Sequence, residues 1–126
     1  MNLSTQKRET YTTYLKSFEW KTKRNQWVDS GRPLMCWACE EPAMMNLRGF
    51  NLHHITYENI FSEKLDDLVL LCSSDHRRLS QEYKDLQSRG VTLAQWTWAY
   101  IALTRWELGL KKISDSKIAK YMGEIE

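Results

Sequence analysis

The residues of this chain best suited to chemistry are its three histidines and three cysteines, which fall into two groups. His53 and His54 are adjacent, and His76 follows beyond a polar stretch. Cys36 and Cys39 form a Cys-x-x-Cys pair, and Cys72 lies shortly before His76 with Asp75 between them. Imidazoles hold divalent cations, and a free neutral imidazole takes a proton from water near neutral pH. Phosphodiester hydrolysis needs both parts, a Lewis acid for the developing charge and a base for the nucleophile. Thiols at Cys-x-x-Cys spacing with a distant third suit a structural zinc ion. The competing reading is three unrelated surface or core histidines, because short motifs also arise by chance.

The elements that must position these residues follow from periodicity. Thr5 to Asp29 reads as one helix, with Tyr11, Leu15, Phe18 and Val28 at roughly helical spacing. Ser30-Gly31-Arg32-Pro33 ends it, and Leu34 to Glu41 forms a knuckle that brings Cys36 and Cys39 together. Phe50 to Ile55 and Leu68 to Cys72 read as strands joined by the polar segment Tyr57 to Asp66. A helix follows from Asp75 to Ser88. Another begins at Thr92, whose spacing to Gln95 fits a capping box, and runs to Leu110. A last short helix is expected over Ile113 to Met122, ending at Gly123. The fold class is α+β, and adjacent histidines at a strand end point to opposite sides, one to a metal and one to substrate.

Bulk properties bound the rest. A chain of 126 residues, 42% hydrophobic and 27% charged, is long enough for one small core that a structural metal would help. No long uncharged run could span a bilayer, and the polar start from Met1 to Thr10 is no signal peptide. An odd number of cysteines, two of them in a Cys-x-x-Cys, argues against a disulfide framework and for a reducing, cytoplasmic setting. Net charge is +2, but residues 1–33 carry +4, residues 34–75 carry −5 and residues 76–126 carry +3. An acidic centre between basic arms suits a cation site framed by phosphate-binding surfaces. Solvated lysines on helical surfaces give the same asymmetry, and charge alone favours that plainer reading.

The order of the motifs is more specific than any one of them. His53-His54-Ile55-Thr56-Tyr57, then Glu63, Asp67-Leu68, Leu71-Cys72 and His76-Arg77-Arg78-Leu79 together resemble the HNH endonuclease family. The lead-in Tyr14-Leu15-Lys16-Ser17 with Trp20 and the Cys-x-x-Cys are similar to those of small bacterial and phage members. The resemblance spans residues 11 to 80 and implies a ββα-metal (His-Me finger) core. An N-terminal helix precedes that core and a C-terminal helical extension follows it, giving a nuclease domain over residues 1–90 and an extension over 91–126. It further implies DNA as substrate, a viral or mobile-element setting in a bacterial cytoplasm, His53 and His76 as ligands of a catalytic divalent cation, and His54 as general base. Asp67 stands where the family often has asparagine. An ionised aspartate accepts hydrogen bonds but donates none, so it would fix the loop as an acceptor and could also steer His54.

Two positions depart from the family pattern. Ser80 stands where many relatives have another histidine one turn after His76. Its loss implies a more open site suited to Mg²⁺ or Mn²⁺, with Ni²⁺ and Zn²⁺ also to be tested. Asp75 stands where the pattern places a fourth cysteine. Three readings compete: a Cys₃Asp zinc site, a decayed site whose thiols are small buried apolar groups, or an aspartate facing the catalytic metal. Persistence of all three thiols favours the first.

Outside the motif, Lys21, Lys23 and Arg24 with Arg77 and Arg78 are the candidate phosphate contacts, which position nucleic acid without reading its sequence. A solvated helix face is the alternative, as natural for the lysines as phosphate contact. From Thr92 to Thr104 no residue is charged, and Trp96, Trp98, Tyr100 and Trp106 cannot share one face. A helix apolar on most sides is buried or covered by a partner, so a second copy of the chain or another protein is one expectation and a core helix the other.

Overall fold

The computed structural model describes residues 5–121, and the side chains from residue 10 onward. Its order is α1 (Thr5–Tyr14), α2 (Phe18–Asp29), β1 (Phe50–His54), β2 (Leu68–Cys72), α3 (Ser73–Ser88) and α4 (Leu93–Glu107), with short 3₁₀ turns at Leu65–Asp67, Ile113–Asp115 and Ala119–Tyr121. The architecture is α+β.

The two strands form an antiparallel hairpin in which Phe50 pairs with Cys72, His53 with Val69 and His54 with Leu68. β2 is buried along its whole length, so it carries the uninterrupted apolar run of a strand covered on both faces. Its outer edge is not left open. The Trp37 amide donates to the Leu70 carbonyl at 2.9 Å, and the Trp27 indole donates to the Leu68 carbonyl at 3.3 Å. The knuckle and α2 therefore occupy the hydrogen-bonding row that an exposed edge would offer.

The single N-terminal helix expected from residue 5 to 29 is instead two helices. Ser17 caps α2 by accepting from the Trp20 amide, which starts a new helix where the periodicity ran on. The buried face also differs from the expected stripe. Trp20 and Trp27 are buried, whereas Phe18 is 79% exposed. At the other end, the helix expected over Ile113 to Met122 is two separate 3₁₀ turns; Met122 and Gly123 lie outside the described residues.

α3 begins two residues earlier than expected, at Ser73, with the Cys72 sulfur accepting from the Asp75 amide. Asp75 and His76 thus sit in the first turn, where the helix dipole favours a carboxylate. Thr92 and Gln95 do form the reciprocal capping box that starts α4. This helix buries Leu93, Thr97, Tyr100, Ile101 and Thr104, one face at helical spacing, and leaves Leu103, Trp106 and Leu108 exposed. Trp98, Tyr100, Ile101 and Ile118 share one buried cluster with Trp27, Trp37 and the strands.

Candidate active site and metal centre

β1 ends in His53 and His54, and strand alternation sends their rings in different directions. His54 is 2% exposed. Its ring lies between the Trp20 indole (centroids 5.2 Å apart) and the Tyr57 ring (5.4 Å) in stacked geometry. Nε2 is 2.6 Å from Glu63 Oε2, and Nδ1 is 3.1 Å from the Tyr11 hydroxyl. An ionised carboxylate can only accept. Nε2 therefore carries a proton that it donates to Glu63, and Nδ1 faces the Tyr11 hydroxyl, which is also hydrogen-bonded to Tyr57. Glu63 is itself buried and takes a second bond, 2.7 Å, from the Tyr14 hydroxyl. Burial pushes its carboxyl up, but the bonds from His54 and Tyr14 outweigh this and hold it below the usual value.

His53 turns towards α3 and α4. Its Nε2 is 2.9 Å from Thr97 Oγ1, and its ring meets that of His76 edge-on at 5.3 Å between centroids. Burial, then the neighbouring His76 and His54, push His53 well below the ordinary imidazole value. Burial and then His54 act on His76 in the same direction. Both rings are thus kept neutral, which is the state that binds cations.

The three histidines open onto one cavity of about 600 Å³, walled by Tyr11, Trp20, Tyr57, Ser80 and Tyr83. Two cationic side chains, Arg24 and Lys84, reach it. Of the basic residues expected to meet phosphate, only Arg24 lines this space, and it also donates to the Asn46 carbonyl at 3.1 Å. Lys21 is exposed and Lys23 half-buried, and neither borders the cavity. Arg77 and Arg78 are exposed on the flank of α3, and the Arg78 guanidinium sits 5.7 Å over the Tyr100 ring. Helical spacing explains the difference: His76, Ser80, Lys84 and Gln87 form the cavity face of α3, and positions 77 and 78 turn away from it.

Asp67 fixes the loop but does not steer His54. Its carboxylate accepts from the Asn59 amide at 3.0 Å and the Lys64 backbone at 2.9 Å. Both ring nitrogens of His54 are taken by Tyr11 and Glu63. The steering role belongs to Glu63.

On the far side of the hairpin, one ligand atom from each of Cys36, Cys39, Cys72 and Asp75 lies within 4.8 Å of all the others. The Cys39 and Cys72 sulfurs are 3.9 Å apart. Asp75 Oδ2 is 3.2 Å from the Cys36 sulfur and 3.3 Å from that of Cys72. A tetrahedral zinc with bonds of about 2.3 Å to sulfur and about 2.0 Å to oxygen has edges of roughly 3.8 and 3.5 Å. The observed distances come close to that figure, so the four residues could hold a metal ion such as zinc. The other carboxylate oxygen of Asp75 accepts from the Tyr100 hydroxyl at 2.7 Å, the kind of outer bond that orients a metal ligand. Burial pushes the thiol of Cys72 up to about 11 and that of Cys36 higher still. Both are therefore protonated near neutral pH without metal, and both donate to Asp75.

No family model, curated protein or solved structure matches the chain.

The residues that sequence reasoning passed over are the partners of the ligands. Glu63 carried the resemblance but no role. In sequence, Tyr11 belongs to the helical spacing and Tyr14 to the lead-in, and neither pattern marks a partner of the site. Thr97 offers the clearest signal, a polar residue at the buried spacing Leu93, Thr97, Ile101. Arg105, 1% exposed, donates to the carbonyls of Trp37 and Lys111 and pairs with Glu40 at 2.7 Å. It clasps the knuckle from α4.

Proposed function

We propose that the chain is a metal-dependent endonuclease of the HNH type that hydrolyses DNA phosphodiester bonds, with His54 as general base. The observation that carries this reading is the placement of His53, His54 and His76 on the wall of one cavity, with the buried Glu63 bonded to His54 from behind. Glu63 holds the proton on Nε2, which leaves Nδ1 as the basic nitrogen. A water entering from the cavity takes the place of the Tyr11 hydroxyl at Nδ1. His54 then accepts its proton as the oxygen attacks phosphorus and the opposite P–O bond breaks, the leaving alkoxide taking a proton from solvent water. Imidazolium formed in this way is stabilised by the carboxylate 2.6 Å from its other nitrogen. Arg24 and Lys84, both bordering the cavity, hold the phosphates on either side.

The donor set beside His54 fits a divalent cation. His53 and His76 are neutral imidazoles, and the Asn51 and Ser80 side chains on the same wall leave room for water. Held there, Mg²⁺ or Mn²⁺ would supply Lewis-acid stabilisation of the phosphate charge. Cys36, Cys39, Cys72 and Asp75 would hold a structural zinc, supported by four ligand atoms that all lie within 4.8 Å of one another.

A second reading rests on one specific observation: both nitrogens of His54 are already bonded within a buried network. On that reading the scaffold binds nucleic acid without cutting it. A plasmid cleavage assay across Mg²⁺, Mn²⁺, Ni²⁺ and Zn²⁺ separates the two. The nuclease reading expects cleavage by the native chain and none by His54→Ala, with fold and zinc content retained. Undiminished cleavage by His54→Ala refutes it, and binding without cleavage under every cation establishes the second reading.

A further inference from the structure

We infer that Thr97 is a positioning residue that sets the tautomer of His53 and so presents Nδ1, the other ring nitrogen, to a cation shared with His76. The inference rests on the reading of His53 as a cation ligand and extends the site to α4, outside the motif that suggested it. Thr97 is completely buried, and its hydroxyl oxygen is 2.9 Å from His53 Nε2. His53 is 5% exposed. With Nε2 committed to Thr97, Nδ1 is the only ring nitrogen left for a metal. A neutral imidazole offers a lone pair on one nitrogen only when the other is protonated. Ligation through Nδ1 thus requires Nε2–H to donate to Thr97 Oγ1, and a threonine oxygen can accept that bond.

The surroundings support a role beyond packing. Valine would fill the same volume on a helix whose neighbouring buried positions are Leu93 and Ile101. The hydroxyl is worth burying only because it has a buried partner. One turn along the same face, Tyr100 makes the equivalent bond to Asp75, the residue directly before His76. The two hydroxyls therefore hold the ligand sets on either side of His76 against one rigid helix. Outer partners of metal-bound histidines commonly fix the ring in this way.

The test is nitrogen-15 NMR of the His53 ring in the metal-free protein, with Mn²⁺ titration of native chain, Thr97→Val and Thr97→Ser. The native ring is expected to be protonated at Nε2. In Thr97→Val, the tautomers mix and Mn²⁺ affinity falls about 10- to 100-fold, with zinc content near native and the melting temperature lowered by several degrees because a buried ring nitrogen loses its partner. Thr97→Ser restores both signals. Protonation at Nδ1 in the native chain, or a Thr97→Val spectrum and affinity unchanged from native, overturns the inference. Absence of Mn²⁺ binding to the native chain refutes the cation-ligand reading, and with it the shared cation. The NMR arm still decides whether Thr97 sets the tautomer.

Discussion

Arg105→Met should be among the most destabilising single changes outside the core. Methionine keeps much of the volume, so the loss is mainly polar. Arg105 is 1% exposed and makes three bonds: to the Trp37 carbonyl at 3.1 Å, to the Lys111 carbonyl at 2.8 Å and to Glu40 at 2.7 Å. The Glu40 side chain is 37% exposed, so that ion pair is screened and contributes about 0–1 kcal/mol. Lys111 is an exposed residue, and its carbonyl can turn to water, limiting the loss there to about 1.5 kcal/mol. The Trp37 carbonyl belongs to a residue 1% exposed, and leaving it unsatisfied costs about 1–3 kcal/mol. Together these give roughly 1–5 kcal/mol. For a chain of this size that lowers the melting temperature by roughly 5–20 °C. Trp37 lies between Cys36 and Cys39, so zinc held at the proposed site should also be lost to a chelator at lower concentration. Thermal unfolding followed by circular dichroism, with zinc content measured in parallel, checks both effects. A variant within about 1 kcal/mol of native, holding zinc equally well, would refute the clasp.

On the proposed nuclease reading, Glu63→Gln should lower cleavage about 10²- to 10⁴-fold, because the amide can donate to Nε2 and move the imidazole proton onto Nδ1, the nitrogen proposed as base. The same variant should flatten acid unfolding. Glu63 is held below its usual value when folded, so its stabilisation is complete above the unfolded carboxyl value of about 4.3 and is lost as pH falls through the folded one. Urea unfolding at neutral and acid pH reads this as a smaller pH-dependent loss in the variant. Ser80→His places an imidazole on the cavity face one turn after His76, and Mn²⁺ titration should show binding tighter by about an order of magnitude, or 1.4 kcal/mol. Asp75→Cys should hold zinc more tightly but lose more melting temperature than native on chelation. A thiol cannot gather the Cys36, Cys72 and Tyr100 donors that the carboxylate holds without metal.

The parts legible in sequence are those whose signal is local. β2 spans Leu68–Cys72 as its apolar run suggested, and Thr92 with Gln95 starts α4 by a cap written in two residues. The Cys-x-x-Cys knuckle is equally local, since the Glu40 amide donates back to the Cys36 carbonyl at 2.7 Å and closes the turn. The break before Phe18 was missed because Tyr11, Leu15 and Phe18 continue a helical stripe through it, while the capping oxygen of Ser17 makes no mark on periodicity. The partners of the site were missed for a different reason. Thr97 meets His53 and Tyr100 meets Asp75 only because α4 packs on the hairpin and α3, and no pattern within either segment states which faces meet. Lys84 is legible in principle, eight residues from His76 on the same helix face, whereas adjacency in sequence points to Arg77 and Arg78, which helical spacing turns away from the cavity.

Four hydroxyls explain why the hairpin and α3 cannot form this site alone. His53, His54, Glu63 and Asp75 are all buried, and buried polar groups must find partners or cost about 1–3 kcal/mol each. Within the segment from Phe50 to Ser88, His54 and Glu63 satisfy one another, and the Cys72 thiol serves one oxygen of Asp75. The remaining atoms are met from outside. Tyr11 of α1 reaches His54, and Tyr14 reaches Glu63. From α4, Thr97 reaches His53 and Tyr100 reaches Asp75. The helices before and after the motif therefore close the polar balance of its core from opposite sides. Asp75 and Ser80 then differ in kind: the first has acquired a buried partner that a thiol could not use in the same way, while the second simply opens onto the cavity. Substitution at position 75 consequently disturbs α4, α3 and the knuckle together, whereas position 80 is free to tune how the cavity treats a cation.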